Sequence, residues 1–172
     1  LTSLVHGGGQ ERGMRSGTMD AAGATSFALA AVLACAEIDS ETHRLDGLAE
    51  RLVAGVKAVA PEAAVSRGDA PGLPGTVHFT FPGCSADSLI FLLDAAGVSV
   101  SAGSACTAGV NRPSHVLLAM GRTEDEATGA LRITLGYTTS EADIEAFLTA
   151  FPGAHQAAKK ARSEERRVGK EC

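Results

Sequence analysis

The sequence predicts an α/β chain whose main body is a small α+β domain entered through a long helical segment. Two observations carry this. Residues 20–39 are Ala-rich, and apolar positions fall at helical spacing from 20 to 59. Beyond Pro61, short alternating runs at 76–81, 98–100 and 131–135 are separated by helical stretches and by turns rich in Gly and Pro. That order suits a short, largely antiparallel sheet packed against helices.

The elements follow in order. Residues 1–18 read as an extended segment whose Gly7, Gly8 and Gly9 open backbone angles closed to other residues. A helix is expected over 20–39, with Phe27, Leu29, Val32, Leu33 and Ile38 as its apolar positions. A second, amphipathic helix is expected over 40–59 on Leu45, Leu48, Leu52, Val56 and Val59, ended by Pro61. Residues 66–75 are loop. Residues 76–81 alternate as a strand with Val77, Phe79 and Phe81 on one face. Ser85 caps a helix through Ala96, and Gly97 stops it. After the 98–100 strand and a loop, Pro113–Met120 reads as a helix with Pro in its first turn. A short helix at Thr123–Thr128, a strand at Leu131–Leu135 and a last helix from Ser140 to Thr149 complete the pattern.

Composition sets limits. The chain has 172 residues, enough for one domain and part of another, and 45% of them are apolar. The formal charge is −5, with no basic patch before the tail, which argues against nucleic acid as a partner. No run long enough to span a bilayer and no signal-peptide pattern are expected. Four cysteines at irregular spacing form neither a disulfide nor a zinc framework, which suits a reducing, cytoplasmic setting. The chain opens without Met, as expected of the later part of a longer protein. Residues 162–172 read as a translated sequencing adapter, a non-native tail expected to be disordered or a frayed helix.

Three residues stand out chemically. Cys106 lies in Ser101-Ala102-Gly103-Ser104-Ala105-Cys106-Thr107, where small neighbours leave its sulfur open to another molecule. A nucleophilic thiol needs that access, and thiolate character at neutral pH. Arg132 sits between Leu131 and Ile133, which argues against full exposure; the bland alternative is a surface arginine capping the preceding helix. Thr18 could cap the helix beginning near Asp20. Cys35, on an Ala-rich helix, is assigned to the core, and Cys84, after Pro82-Gly83, to an accessible turn. His43, His78, His115 and His155 do not fall at metal-ligand spacing.

The cysteine segment resembles the active-site loop of cysteine desulfurases of the NifS/IscS type, within the PLP-dependent class V aminotransferases. His6-Gly7-Gly8-Gly9-Gln10-Glu11-Arg12-Gly13-Met14-Arg15-Ser16-Gly17-Thr18 and Ala130-Leu131-Arg132-Ile133-Thr134-Leu135-Gly136-Tyr137 agree, in the family's order and at near-family spacing. The resemblance implies the C-terminal part of an aspartate aminotransferase-like PLP fold. It assigns 1–37 to the end of the PLP-binding large domain and a linking helix, and 38–161 to the small domain.

It further implies release of sulfur from L-cysteine, leaving L-alanine and a persulfide on Cys106. A soft, polarizable thiolate suits that task, and a Gly- and Ser-rich loop suits carriage of the persulfide to an acceptor. The loop's form resembles the class that serves iron–sulfur scaffold proteins, in which Cys106 could also be a transient iron–sulfur ligand. Arg132 would bind the substrate α-carboxylate through its guanidinium fork. Thr18 would donate to the pyridoxal 5'-phosphate phosphate of the partner subunit, which makes the enzyme a homodimer. His6, Arg12 and Arg15 would position that segment. The family's Schiff-base lysine lies upstream of the Gly-rich motif, and Lys57, Lys159, Lys160 and Lys170 are in no such motif. This stretch alone is therefore expected to be inactive. The alternatives are a non-catalytic persulfide carrier and a selenocysteine lyase-like enzyme.

Overall fold

A computed structural model describes residues 2–102 and 113–168. The chain divides between Ser40 and Glu41 into two compact units.

In the first unit the Gly-rich segment folds back on itself rather than running extended. A 3-10 turn spans Glu11–Gly13, and the Gly13 amide donates to the Gly9 and Gln10 carbonyls, each at 3.0 Å. Glu11 and Arg12 take left-handed angles, φ 51° and 58°, which cost non-glycine residues conformational energy. Neighbouring bonds hold the turn: Ser16 is buried, its amide donates to the Val5 carbonyl at 3.2 Å, and the Gly17 amide donates to Gln10 Oε1 at 2.9 Å.

Helix α1 follows as one element, Ala21–Val59, where two helices are expected. No Gly or Pro falls between 24 and 46 to break it, and Ser40 bonds back to the Glu37 carbonyl at 2.9 Å instead of capping a new helix. The helix also corrects the expectation of no bilayer-length run. A window of it reaches a mean hydropathy of 1.7, enough by length and composition to cross a membrane. Within the first unit Phe27, Leu29, Val32, Leu33 and Ile38 are exposed, and so is Cys35, which the sequence assigns to the core. Helical period identifies an apolar face, but burial needs an element packed on it. Among the described residues of this unit none covers that face.

The second unit has a four-stranded sheet: β1 (Ala64–Val65), β2 (Thr76–Thr80), β3 (Ser101–Ala102) and β4 (Ala130–Thr134), in the order β1-β2-β4-β3. Among the described residues every pairing in this sheet is antiparallel. Alternation sends Val77, Phe79, Leu131 and Ile133 to one face, where they meet Leu52 and Val56 of α1. Helices α2 (Ala86–Ala95) and α5 (Glu141–Val168) close this core, with Leu89, Leu93 and Phe151 fully buried. Leu45 and Leu48 join the core as expected, while Val59, at the end of α1, stays exposed.

Several boundaries move. The strand expected at 98–100 begins three residues later, at Ser101–Ala102, while Val98 and Val100 pack on the core edge. Helix α3 (His115–Ala119) has Ser114 at its N-cap position, without a side-chain capping bond, which leaves Pro113 ahead of the helix. Helix α4 (Glu124–Thr128) starts with a capping box between Thr123 and Glu126. Helix α5 runs past its expected end at Thr149, through Pro152 and beyond the start of the adapter-like tail. Its Phe151, Ala154, His155 and Ala158 are buried, and that packing outweighs one interior proline.

Candidate active site

Cys106 lies outside the described residues, so the site is built from its flanks. β3 leads directly into the segment that carries Cys106. It pairs with β4 in the register Ser101↔Arg132 and Ala102↔Leu131.

Arg132 stands in the middle of β4. Leu131 and Ile133 face the core, so the pleat turns Arg132 to the opposite face, where it is exposed. This corrects the expectation that its apolar neighbours shield it; along a strand, sequence neighbours point the other way. Nor does it cap α4, whose C-cap is Gly129. Among the described residues no carboxylate pairs with its guanidinium, which is free to take an anion.

Its cross-strand neighbours complete a polar row. In register, His78 of β2 lies opposite Arg132 on one side and Ser101 of β3 on the other. His78 Nδ1 is 2.7 Å from Ser66 Oγ, and the Ser66 amide donates to the His78 carbonyl at 2.8 Å. Burial, and then the Arg132 charge, hold the His78 imidazole below the usual histidine range. It is therefore neutral at pH 7. Sequence reasoning passes over His78 and Ser66. The signal was present: His78 falls between Val77 and Phe79 as Arg132 falls between Leu131 and Ile133, so pairing the two strands puts both on one face.

Thr18 belongs to the first unit and is exposed. Its carbonyl accepts from Arg15 Nη1 at 3.5 Å, and its hydroxyl makes no hydrogen bond among the described residues. The helix-cap role goes to Asp20, whose Oδ1 accepts from the Gly23 amide at 2.9 Å. An exposed hydroxyl on the residue that Arg15 reaches makes a donor pair that fits a phosphate group. His6 is also exposed. Of the lysines, Lys159 pairs with Glu62.

Cys84 is fully buried, not accessible as its turn suggests. Its amide donates to the Phe81 carbonyl at 3.1 Å, which folds the residue inward, and burial pushes the thiol up to about 11. Among the described residues no three metal-ligating side chains come together.

Comparison with known proteins places this geometry. The aminotransferase class-V family matches residues 4–147, and the chain belongs to it. An IscS-like cysteine desulfurase of Mycobacterium tuberculosis is 50% identical over 159 residues, covering 92% of this chain and 40% of that protein. A cysteine desulfurase IscS of Clostridium botulinum is 38% identical over 154 residues, 88% of this chain and 39% of that protein. Among solved structures, a NifS-like protein from Rickettsia africae superposes with a TM-score of 0.74 at 32% identity, over 90% of this chain and 40% of that one. The chain thus spans about 40% of the length of these relatives.

Proposed function

We propose that this chain is part of a PLP-dependent cysteine desulfurase and supplies its sulfur-accepting cysteine and its substrate-carboxylate site. The observation that carries this reading is an exposed arginine without a carboxylate partner among the described residues, Arg132, on the strand paired with β3, which runs into the Cys106 segment. A guanidinium there can take the α-carboxylate of L-cysteine through two parallel hydrogen bonds. The substrate sulfur is then directed toward Cys106.

PLP, when bound, would supply the electron sink that weakens the substrate C–S bond. Thr18 would hold its phosphate from the partner subunit of a homodimer. Cys106 enters as a thiolate. The C–S bond of cysteine breaks, an S–S bond forms on Cys106, and the former substrate carbon takes a proton, leaving L-alanine and a persulfide. An acceptor protein of the iron–sulfur scaffold kind would collect that sulfur in the cytoplasm.

The test is an assay of L-alanine and sulfane sulfur with PLP and L-cysteine, on this chain and on the protein encoded by its complete reading frame. We expect turnover from the complete protein, loss of it in Cys106→Ala, and none from this chain. Persulfide accepted on Cys106 without alanine production by the complete protein would instead favour a carrier. Preference for selenocysteine would favour a lyase-like enzyme.

A further inference from the structure

We propose that Ser66 and His78 are positioning residues for Arg132, holding its guanidinium ready for the substrate carboxylate; the inference rests on the desulfurase reading above. Arg132 has a long side chain and no carboxylate partner among the described residues, so left alone it samples many rotamers. Fixing them on binding costs free energy. A neighbour that restricts it beforehand removes part of that cost.

The register supplies one candidate of sufficient size. Directly opposed residues in an antiparallel pair have Cβ atoms about 5 Å apart, and His78 is opposite Arg132 on β2. On the β3 side the opposed residue is Ser101, which is too short to wall a guanidinium. His78 is itself held at two points by Ser66, through the 2.7 Å side-chain contact and the 2.8 Å backbone bond. A planar ring fixed beside a planar cation restricts it, provided the ring is uncharged. The environment keeps it so, because burial and Arg132 both oppose its protonation, and among the described residues no other charged group acts on it.

This arrangement makes a second, specific demand. The Ser66 hydroxyl can either donate to Nδ1 or accept from it, so the tautomer is left to whatever meets Nε2. A carboxylate seated on Arg132 selects the Nε2–H form. It also offsets the arginine charge, so the His78 pKa rises on binding.

The test has two arms. In this chain, NMR follows the Arg132 Nε–H order parameter and the His78 ring nitrogens, with propionate as the carboxylate probe. We expect the order parameter to fall in His78→Ala and in Ser66→Ala and to recover in His78→Asn. In the wild type propionate should raise the His78 pKa, and in Arg132→Gln it should not. In the complete PLP-loaded enzyme, KM for L-cysteine should rise about tenfold in His78→Ala with kcat within about twofold. His78→Asn should again restore it. Unchanged arginine order and unchanged KM in both Ala variants would overturn the inference while leaving the desulfurase reading intact. Unchanged KM in Arg132→Gln would instead remove the carboxylate site itself.

Discussion

The Arg44 guanidinium donates to the Thr139 carbonyl at 2.6 Å, tying α1 to the turn that follows β4. The same group reaches the Gly136 carbonyl at 3.0 Å and the Tyr137 carbonyl at 3.2 Å, and it is oriented by Glu41 at 2.7 Å. One side chain therefore satisfies three carbonyls of the turn that ends the Arg132 strand. Within the turn the Thr139 amide donates to the Gly136 carbonyl, and the Gly136 amide to Thr139 Oγ1, each at 2.9 Å.

Replacing Arg44 with Ala should loosen that turn before it unfolds the domain. We expect amide exchange at Gly136 and Thr139 to speed up about tenfold, with little change at buried positions of β4. Exchange measured by mass spectrometry or NMR checks this. Arg44→Lys should fall between the two, because an ammonium lacks the planar fork.

Gly129 is where side-chain absence matters most. It is buried, and an added Cβ would overlap the Phe81 carbonyl and come within 3.1 Å of the Cys84 carbonyl, both backbone atoms. Gly129→Ala should destabilise the domain by about 3 kcal/mol, near the upper end for overpacking. Urea denaturation decides it, and a cost below about 0.5 kcal/mol would mean the β2–β4 end is far softer than its contacts indicate.

Thiol chemistry should separate the cysteines. Cys35 is exposed, whereas Cys84 is fully buried with its thiol held at about 11. In the native chain at pH 8, iodoacetamide should modify Cys35 in minutes and Cys84 only on unfolding. The Cys84 shift also acts on stability. The unfolded thiol releases its proton first, so stability falls as pH rises from 9 towards 11. Peptide mapping after timed labelling reads the order directly.

Mild acid should weaken the fold before any carboxylate titrates. His155 is buried, stacks on Phe151 at 5.4 Å, and has no hydrogen-bond partner at Nε2. The 3.7 Å separation from Glu62 is too long for a hydrogen bond, and burial together with the Lys159 charge outweighs that attraction, so its pKa is lowered from 6.5. His78 is lowered in the same sense. The unfolded chain therefore binds these protons first. Stability falls as pH drops below 6.5 and levels off once pH is under the folded values. His155→Gln should flatten that part of a urea-midpoint profile. A further loss below pH 4.5 belongs to carboxylates such as Glu41, Glu126 and Asp143, all lowered by their hydrogen bonds.

Much of this protein was legible from local pattern alone. Alternation at 76–81 and 131–135 specified which residues enter the core, because a strand has only two faces. Helical spacing found Leu45, Leu48, Leu52 and Val56, and the short helix near 123–128 was expected where it forms. The motifs around Thr18, Cys106 and Arg132 named the family that the comparisons then established.

Burial and juxtaposition were decided only by the tertiary structure. Cys35 and Cys84 exchange their expected environments, because a helical face is buried only where something covers it and a turn is exposed only where it points outward. The His78–Arg132 pairing joins residues far apart in the chain, and no local pattern contains it. Sequence determines each side chain's direction through local backbone geometry. Which side chains meet depends on strand register and helix packing, which are properties of the whole fold.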